Sequence, residues 1–230
     1  MTEMAEKQKA RPKRPAVICD EIKDWIVTQK LKPGDPLPQE KALVERFRAS
    51  KGTMREALRS LEAQGLVTTR TGPRGGIFVS ALDENRAMEL LGNYFFFRQP
   101  SIADIYTVRC QLEPELAASL VGLMSDEDYQ RLEETMRVYD HPAETVGEEY
   151  RQRMAELDFH GVLAELCPNP VLGFMCGFLQ SLLRDLTVCR RIYDRPNPEL
   201  RETGLSYQTR LIEAFRAGDR ESARSIMYKH

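Results

Sequence analysis

Apolar residues recur at helical spacing along most of this chain, and β-rich runs appear in one short stretch only. From Pro15 onward, Ile18, Ile22, Trp25 and Ile26 repeat at intervals of three and four, predicting a helix with a proline in its first turn. It must end before Lys32-Pro33-Gly34-Asp35, a turn by composition. Beyond Leu37-Pro38 a short helix carries Ala42, Leu43 and Phe47. Ser50 caps a third helix, with Thr53 in its first turn, Gly65 as its stop, and Met54, Ala57, Leu58 and Leu61 as its apolar face. Two β-rich runs, 66–70 and 77–80, flank Thr71-Gly72-Pro73-Arg74-Gly75-Gly76 and read as a hairpin. After Asp83 the pattern is helical throughout. Breaks at Pro100-Ser101, Ser125, His141-Pro142, Asn169-Pro170, Asn197-Pro198 and Gly218-Asp219 divide it into helices over about 84–98, 101–122, 126–139, 143–166, 170–194, 199–217 and 219–230. The predicted fold is mainly α: a winged helix-turn-helix at 15–80, a linker at 81–85, and an antiparallel all-α bundle at 86–230, preceded by a disordered basic arm at 1–14.

The third helix bears chemistry opposite its apolar face. Lys51, Arg55 and Arg59 fall at i, i+4 and i+8, next to Ser50, Gly52 and Thr53 in the first turn. A lone helix with three basic residues is ordinarily just a solvated face. Here the stripe follows a helix–turn–helix and precedes a hairpin tipped with Arg70, Arg74 and Gly75. In that order of elements the second helix of the pair enters the major groove, basic groups meet phosphates, and wing glycines allow close backbone approach.

Charge sharpens this division. Residues 1–80 hold 16 Lys and Arg against 10 Asp and Glu, and residues 81–230 hold 17 against 25. A basic small domain on a larger acidic one suits a nucleic-acid-binding module joined to a sensor. With 42% apolar residues, no window long enough to span a bilayer and no secretory signal, a cytoplasmic protein is expected. Five cysteines without a C-x-x-C pair read as reduced thiols, those at Cys110, Cys176 and Cys189 as small buried apolar groups.

The stretch Pro33-Gly34-Asp35-Pro36-Leu37-Pro38-Gln39-Glu40, followed by Ser50-Lys51-Gly52-Thr53-Met54-Arg55-Glu56-Ala57-Leu58, resembles the DNA-binding domain of the GntR superfamily. The resemblance places Arg55 at the family's DNA-contacting arginine. Lys51 and Lys41 stand where the family has arginine; a lysine cannot make the two parallel bonds by which guanidinium reads guanine.

In the bundle, Tyr150, Met154, Leu157, Gly161 and Ala164 outline an apolar seam, with Glu156 and His160 beside it at i and i+4. Gln208, Leu211, Ile212 and Phe215 share one face, and so do Ala223, Ile226, Met227 and His230. Imidazole and carboxylate aimed into a bundle interior build metal or polar-ligand sites, although a single inward histidine is more commonly a hydrogen-bonded core residue. Arg109-x-x-x-Glu113, Ala117-Ala118, Phe159-His160, Asn169-Pro170 and Ala214-Phe215-Arg216-Ala217-Gly218-Asp219 resemble the FCD sensor domain of the FadR subfamily. That resemblance implies a divalent metal (Zn, Ni or Mn) held by Glu156, His160 and His230, with Gln208 where a third histidine is usual. It leaves two alternatives: a weaker metal, or none, with Gln208 bonding the effector itself. Arg109 is either the anchor for an effector carboxylate or an ion-pair partner of Glu113 on an exposed face; Arg184, Arg190 and Arg191 are weaker anchors.

The expectation is therefore a transcription regulator: a homodimer on a palindromic stretch of double-stranded DNA, controlled by a small carboxylate effector at Arg109, Glu113, His160 and Gln208. The rival readings are an effector-independent architectural DNA-binding protein and a helical metalloenzyme. Against the enzyme stands the absence of a Ser/His/Asp set, a phosphate loop or H-E-x-x-H.

Overall fold

The structure, a computed structural model, describes residues 14–73, 75–185 and 198–230, with the side chains of all but 146, 149 and 198–202. Arg74, Cys189, Arg190, Arg191, most of the basic arm and the end of the helix expected to reach 194 lie outside the described residues. The chain folds as two compact units, with the boundary between Ala87 and Met88.

In the first unit, α1 (Arg14–Thr28), β1 (Pro36–Leu37), α2 (Glu40–Arg46), α3 (Lys51–Ala63), β2 (Val67–Arg70) and β3 (Gly76–Val79) follow in order. Arg14, assigned from sequence to the arm, opens α1, and its guanidinium donates to the Arg48 carbonyl. Ser50 caps α3 as expected, its hydroxyl accepting from the Thr53 amide. Gly65 ends the helix at a φ of +73°, a conformation that favours glycine. The sheet has three strands, not two. β3 lies between β1 and β2, pairing antiparallel with both, in the registers Leu37↔Ile77 and Thr69↔Ile77. A two-residue strand has no periodicity of its own, which is why the sequence pattern at β1 shows only a turn. Ile22, Leu43, Met54, Ala57 and Leu61 fill the core completely, closed by Leu37, Val67, Ile77 and Val79 from the sheet.

The second unit is helical: α4 (Glu84–Arg98, begun in the first unit), α5 (Ile102–Leu120), α6 (Asp126–Met136), a 3-10 turn (Arg137–Tyr139), α7 (Val146–Glu165), α8 (Pro170–Asp185), α9 (Pro198–Ala217) and α10 (Arg220–Lys229). Ser101, Ser125 and Thr145 start α5, α6 and α7 with reciprocal capping boxes to Asp104, Asp128 and Glu148. Phe159 and Leu163 of α7, Leu211 and Phe215 of α9 and Leu116 and Leu120 of α5 make the centre of one apolar cluster. The seam expected on α7 is displaced. Tyr150, Met154 and Gly161 are only half-buried, whereas Gln152, Ala155, Phe159 and Leu163 are buried with Leu157 and Ala164, because several helices and the 3-10 turn pack around α7. Cys176 is buried, and burial pushes its thiol up to about 12, but Cys110 is exposed, on the outer side of α5.

Candidate functional site

On the first unit four of the predicted contact residues, Arg55, Arg59, Arg70 and Gly75, line one groove. Lys41 on α2 and Lys51, Gly52, Arg55 and Arg59 on α3 are exposed. Ser50 and Thr53 hydrogen bond to each other, their hydroxyl oxygens 2.8 Å apart at the helix start. Arg70 lies with its guanidinium 4.7 Å over the Phe78 ring, and Arg74 is outside the described residues. A β-carbon on Gly75 would stand 2.5 Å from the Arg70 carbonyl oxygen, so only glycine fits the wing there. Between α3 and the hairpin runs a groove of about 530 Å³, with Glu40, Arg55, Arg59, Glu62, Arg70 and Gly75 among its walls. Arg55 does not point freely into it. Its Nε donates to both carboxylate oxygens of Glu40, at 3.0 and 3.2 Å.

In the second unit three of the four predicted effector residues, Arg109, Glu113 and His160, come together. One turn apart on α5, Arg109 and Glu113 are both buried and joined by two bonds, Nε to Oε1 at 2.7 Å and Nη2 to Oε2 at 3.1 Å. The ion pair, one of the two alternatives for Arg109, thus forms, but in the core rather than on an exposed face. Gln180 of α8 donates Nε2–H to Glu113 Oε1 at 2.6 Å, and His160 of α7 brings Nδ1 within 3.0 Å of Oε2. Four nitrogens therefore surround one carboxylate.

Charge states follow from these contacts. Burial alone would raise the Glu113 carboxyl, but the His160 and Arg109 partners outweigh it and hold the group at about 2. For His160 burial wins, and its pKa falls below the ordinary imidazole value. We therefore assign a neutral ring with the proton on Nδ1, donated to Glu113, since a carboxylate can only accept. Nε2 then carries the lone pair. Tyr207 of α9, kept protonated by burial, donates its O–H to that atom at 2.9 Å.

His230, just past the end of α10, stacks on the Tyr207 ring with centroids 3.5 Å apart and on the His160 ring at 5.5 Å, and its Nε2 lies 2.9 Å from Glu156 Oε1. Ligand atoms of Glu156, His160 and His230 all fall within 4.8 Å of one another. Gln208 is fully buried and neither its amide oxygen nor its nitrogen has a hydrogen-bond partner among the described residues. Buried polar atoms normally have partners, so an orphaned buried amide on α9 is a feature to explain. Arg184, a weaker anchor from sequence, pairs instead with Asp158 on the surface.

Three site residues escaped the sequence reading. Gln180 is the lone polar side chain in Phe174-Met175-Cys176-Gly177-Phe178-Leu179-Gln180, a visible if unspecific signal. Tyr207 passes for an ordinary aromatic of the α9 face, and nothing local marks Glu40 as the partner of a residue 15 positions away.

The FCD domain family matches residues 104–230, and the family described as bacterial regulatory proteins, gntR family, matches residues 16–79. This chain belongs to the GntR family, with an FCD domain behind its winged helix. GntR-type relatives align along nearly its full length. It is 28% identical over 213 residues to the HTH-type transcriptional regulator YcbG of Bacillus subtilis, covering 93% of this chain and 84% of the relative. The HTH-type transcriptional regulator LutR of the same species is 26% identical over 206 residues, 89% and 92% of the two chains. The HTH-type transcriptional repressor NanR of Cronobacter sakazakii is 28% identical over 226 residues, 96% and 84%. A solved Streptococcus agalactiae GntR structure has the same fold, with a TM-score of 0.64 at 21% identity over 94% of this chain and 96% of that one. The GntR chain is accordingly a DNA-binding transcription regulator with an effector-binding FCD domain, and its domains and relatives are those of regulators rather than enzymes.

Proposed function

We propose that this regulator is a homodimeric repressor in the cytoplasm, acting on a palindromic operator and released or retuned by a small carboxylate bound in the FCD unit. The observation that carries the effector reading is the convergence of Glu156, His160 and His230 within 4.8 Å, and the buried Gln208 amide without a partner among the described residues is consistent with it. The donor set fits a divalent cation such as Zn, Ni or Mn: one carboxylate and two imidazoles. Gln208 is proposed as the fourth donor, its amide oxygen better suited to the harder ions. Bound there, the cation would supply a positive centre for an effector carboxylate. Glu113 would hold His160 in the tautomer that frees Nε2 for it. Tyr207 O–H competes for that same lone pair, which supports the second reading, a metal-free pocket in which Tyr207, His160 and Gln208 bond the acid directly.

DNA contact is assigned to Lys41, Lys51, Arg55, Arg59 and Arg70, with Ser50, Thr53, Gly52 and Gly75 shaping the backbone that approaches the duplex. The homodimer is supported by apolar surface on the second unit. Leu90, Leu91, Tyr94 and Phe97 of α4 and Val108 of α5 are exposed, and a second copy would cover them.

The test is plasma mass spectrometry of the purified protein, combined with thermal shifts against small carboxylic acids with and without chelator. About one metal per chain, with acid stabilisation abolished by chelator, supports the metal reading. Stabilisation that ignores chelator in a metal-free protein supports the direct pocket. No stabilisation by any acid overturns the carboxylate effector.

A further inference from the structure

The groove between α3 and the wing contains two carboxylates, an odd choice for a surface that meets phosphate. Each already has a partner. Glu62 Oε1 accepts from the Thr69 amide at 2.9 Å, supporting the wing strand. Glu40, the first residue of α2, takes Arg55 Nε on both of its oxygens, at 3.0 and 3.2 Å. Among the described residues no group takes Arg55 Nη1 or Nη2. The grip is thus on the inner nitrogen only, and the two outer nitrogens remain as a parallel fork.

The nitrogen used separates this from the other surface ion pairs. Arg131, Arg184, Arg216 and Arg224 each commit a terminal nitrogen to a carboxylate, whereas Arg55 is held through Nε. A single-nitrogen grip restricts the long side chain while leaving unspent the donors that match the O6 and N7 acceptors of guanine in the major groove. Arg55 lies in the N-terminal half of the exposed face of α3, the part of a recognition helix that meets base edges. Lys41 of α2 and Lys51 at the start of α3 cannot form a fork at all, and Arg46 at the end of α2 lies over the Trp25 ring, 4.7 Å from its centroid.

We propose that Glu40 is a positioning residue for sequence reading: it holds Arg55 by Nε and presents the two terminal guanidinium nitrogens to a guanine edge. The proposal rests on the assignment of Arg55 to the DNA interface. It opposes simple electrostatics, under which removing an acidic residue from a DNA-facing groove strengthens binding to every duplex.

The experiment uses the full chain and a pool of randomised duplexes of about 40 base pairs. Wild type is used to enrich a binding sequence. Glu40→Gln, Arg55→Lys, Arg55→Ala and the double variant Glu40→Gln/Arg55→Lys are then measured on the enriched duplex and on its single-position substitutions. Circular dichroism and thermal melting show whether each variant is folded. The expected result for Glu40→Gln is a roughly five- to ten-fold loss on the enriched duplex, confined to preference for one guanine per half-site, within the discrimination that one bidentate contact provides. Arg55→Lys should lose the same preference, and the double variant no more than either alone. Two results overturn the positioning role: Glu40→Gln binding as well as or better than wild type with the guanine preference intact, or a loss spread evenly over all positions, which would make Arg55 a phosphate contact. If Arg55→Ala binds like wild type, the interface assignment fails first and takes the proposal with it. If Arg55→Ala is impaired and Glu40→Gln is not, only the proposal fails.

Discussion

The two units each contain an arginine–glutamate pair, and the two pairs behave oppositely. Arg109 and Glu113 have side chains 4% and 7% exposed, while Arg55 and Glu40 are 63% and 34% exposed. In the core, water cannot serve either charge, so every donor must find a protein acceptor; Glu113 draws in His160 and Gln180 as well as the guanidinium. At the surface, water satisfies whatever the partner leaves, so Arg55 can keep two donors for a ligand. The same two residue types therefore make a permanent polar core in one place and an open recognition fork in the other, and dielectric surroundings decide which.

The largest expected effect comes from breaking the buried pair. Glu113→Ala strands Arg109 and the Nδ1–H of His160 in the core and should destabilise the protein by about 3–5 kcal/mol. Denaturant unfolding measures it; an unchanged midpoint would mean that the two charges are solvated. Replacing both partners, Arg109→Met with Glu113→Leu, should cost less than Glu113→Ala alone, because no uncompensated charge remains.

Next comes Arg55→Ala, which should weaken operator binding by about 1–3 kcal/mol while leaving unfolding and effector binding alone. Fluorescence anisotropy with a labelled duplex reads the affinity, and a parallel loss of thermal stability would show that the exposed pair is structural after all. Tyr207→Phe sharpens the contrast in the second unit. It deletes only the O–H donated to His160 Nε2, and in a metal-free protein should cost roughly 1 kcal/mol of stability. In a metal-loaded protein the same variant should leave stability unchanged or tighten the metal, since the lone pair is then freed; titration calorimetry with Mn or Zn separates the cases.

The smallest effects lie at the helix starts. Asp104 is held below its ordinary value chiefly by the Ser101 hydroxyl and amide, and Asp128 by the Ser125 amide and hydroxyl. A carboxylate with a depressed folded pKa contributes stability that is complete above its unfolded value, about 4, and is lost as pH falls through the folded value. Ser101→Ala and Ser125→Ala should each remove about 1 kcal/mol near neutral pH. Both should also make the acid limb of a stability–pH curve shallower, and an acid limb of unchanged slope would count against the capping boxes.

Much of the fold was legible because its signals are local. Ser50, Gly65, Ser101, Ser125 and Asn169 act on the turn they begin or end, and the apolar face of α3 repeats within one helix. The pairs Arg109/Glu113 and Glu156/His160 were legible for the same reason, one helical turn apart. Burial was not. Sequence spacing gives no sign that Arg109 and Glu113 face a core, that Cys110 faces outward, or that α7 is enclosed on several sides. Nor does it show β1, whose two residues form a strand only because β3 lies beside them.

The sequence alone determined the order of elements, their caps, the basic face of α3 and the residue types available for a metal or an acid. These depend on backbone geometry and charges within a few positions of one another. Tertiary structure decided which distant groups meet: Glu40 with Arg55, Gln180 with Glu113, Tyr207 with His160, and Gln208 with no partner among the described residues. Those meetings set desolvation and hydrogen-bond saturation, which depend on everything packed around a group and so cannot be read from its neighbours along the chain.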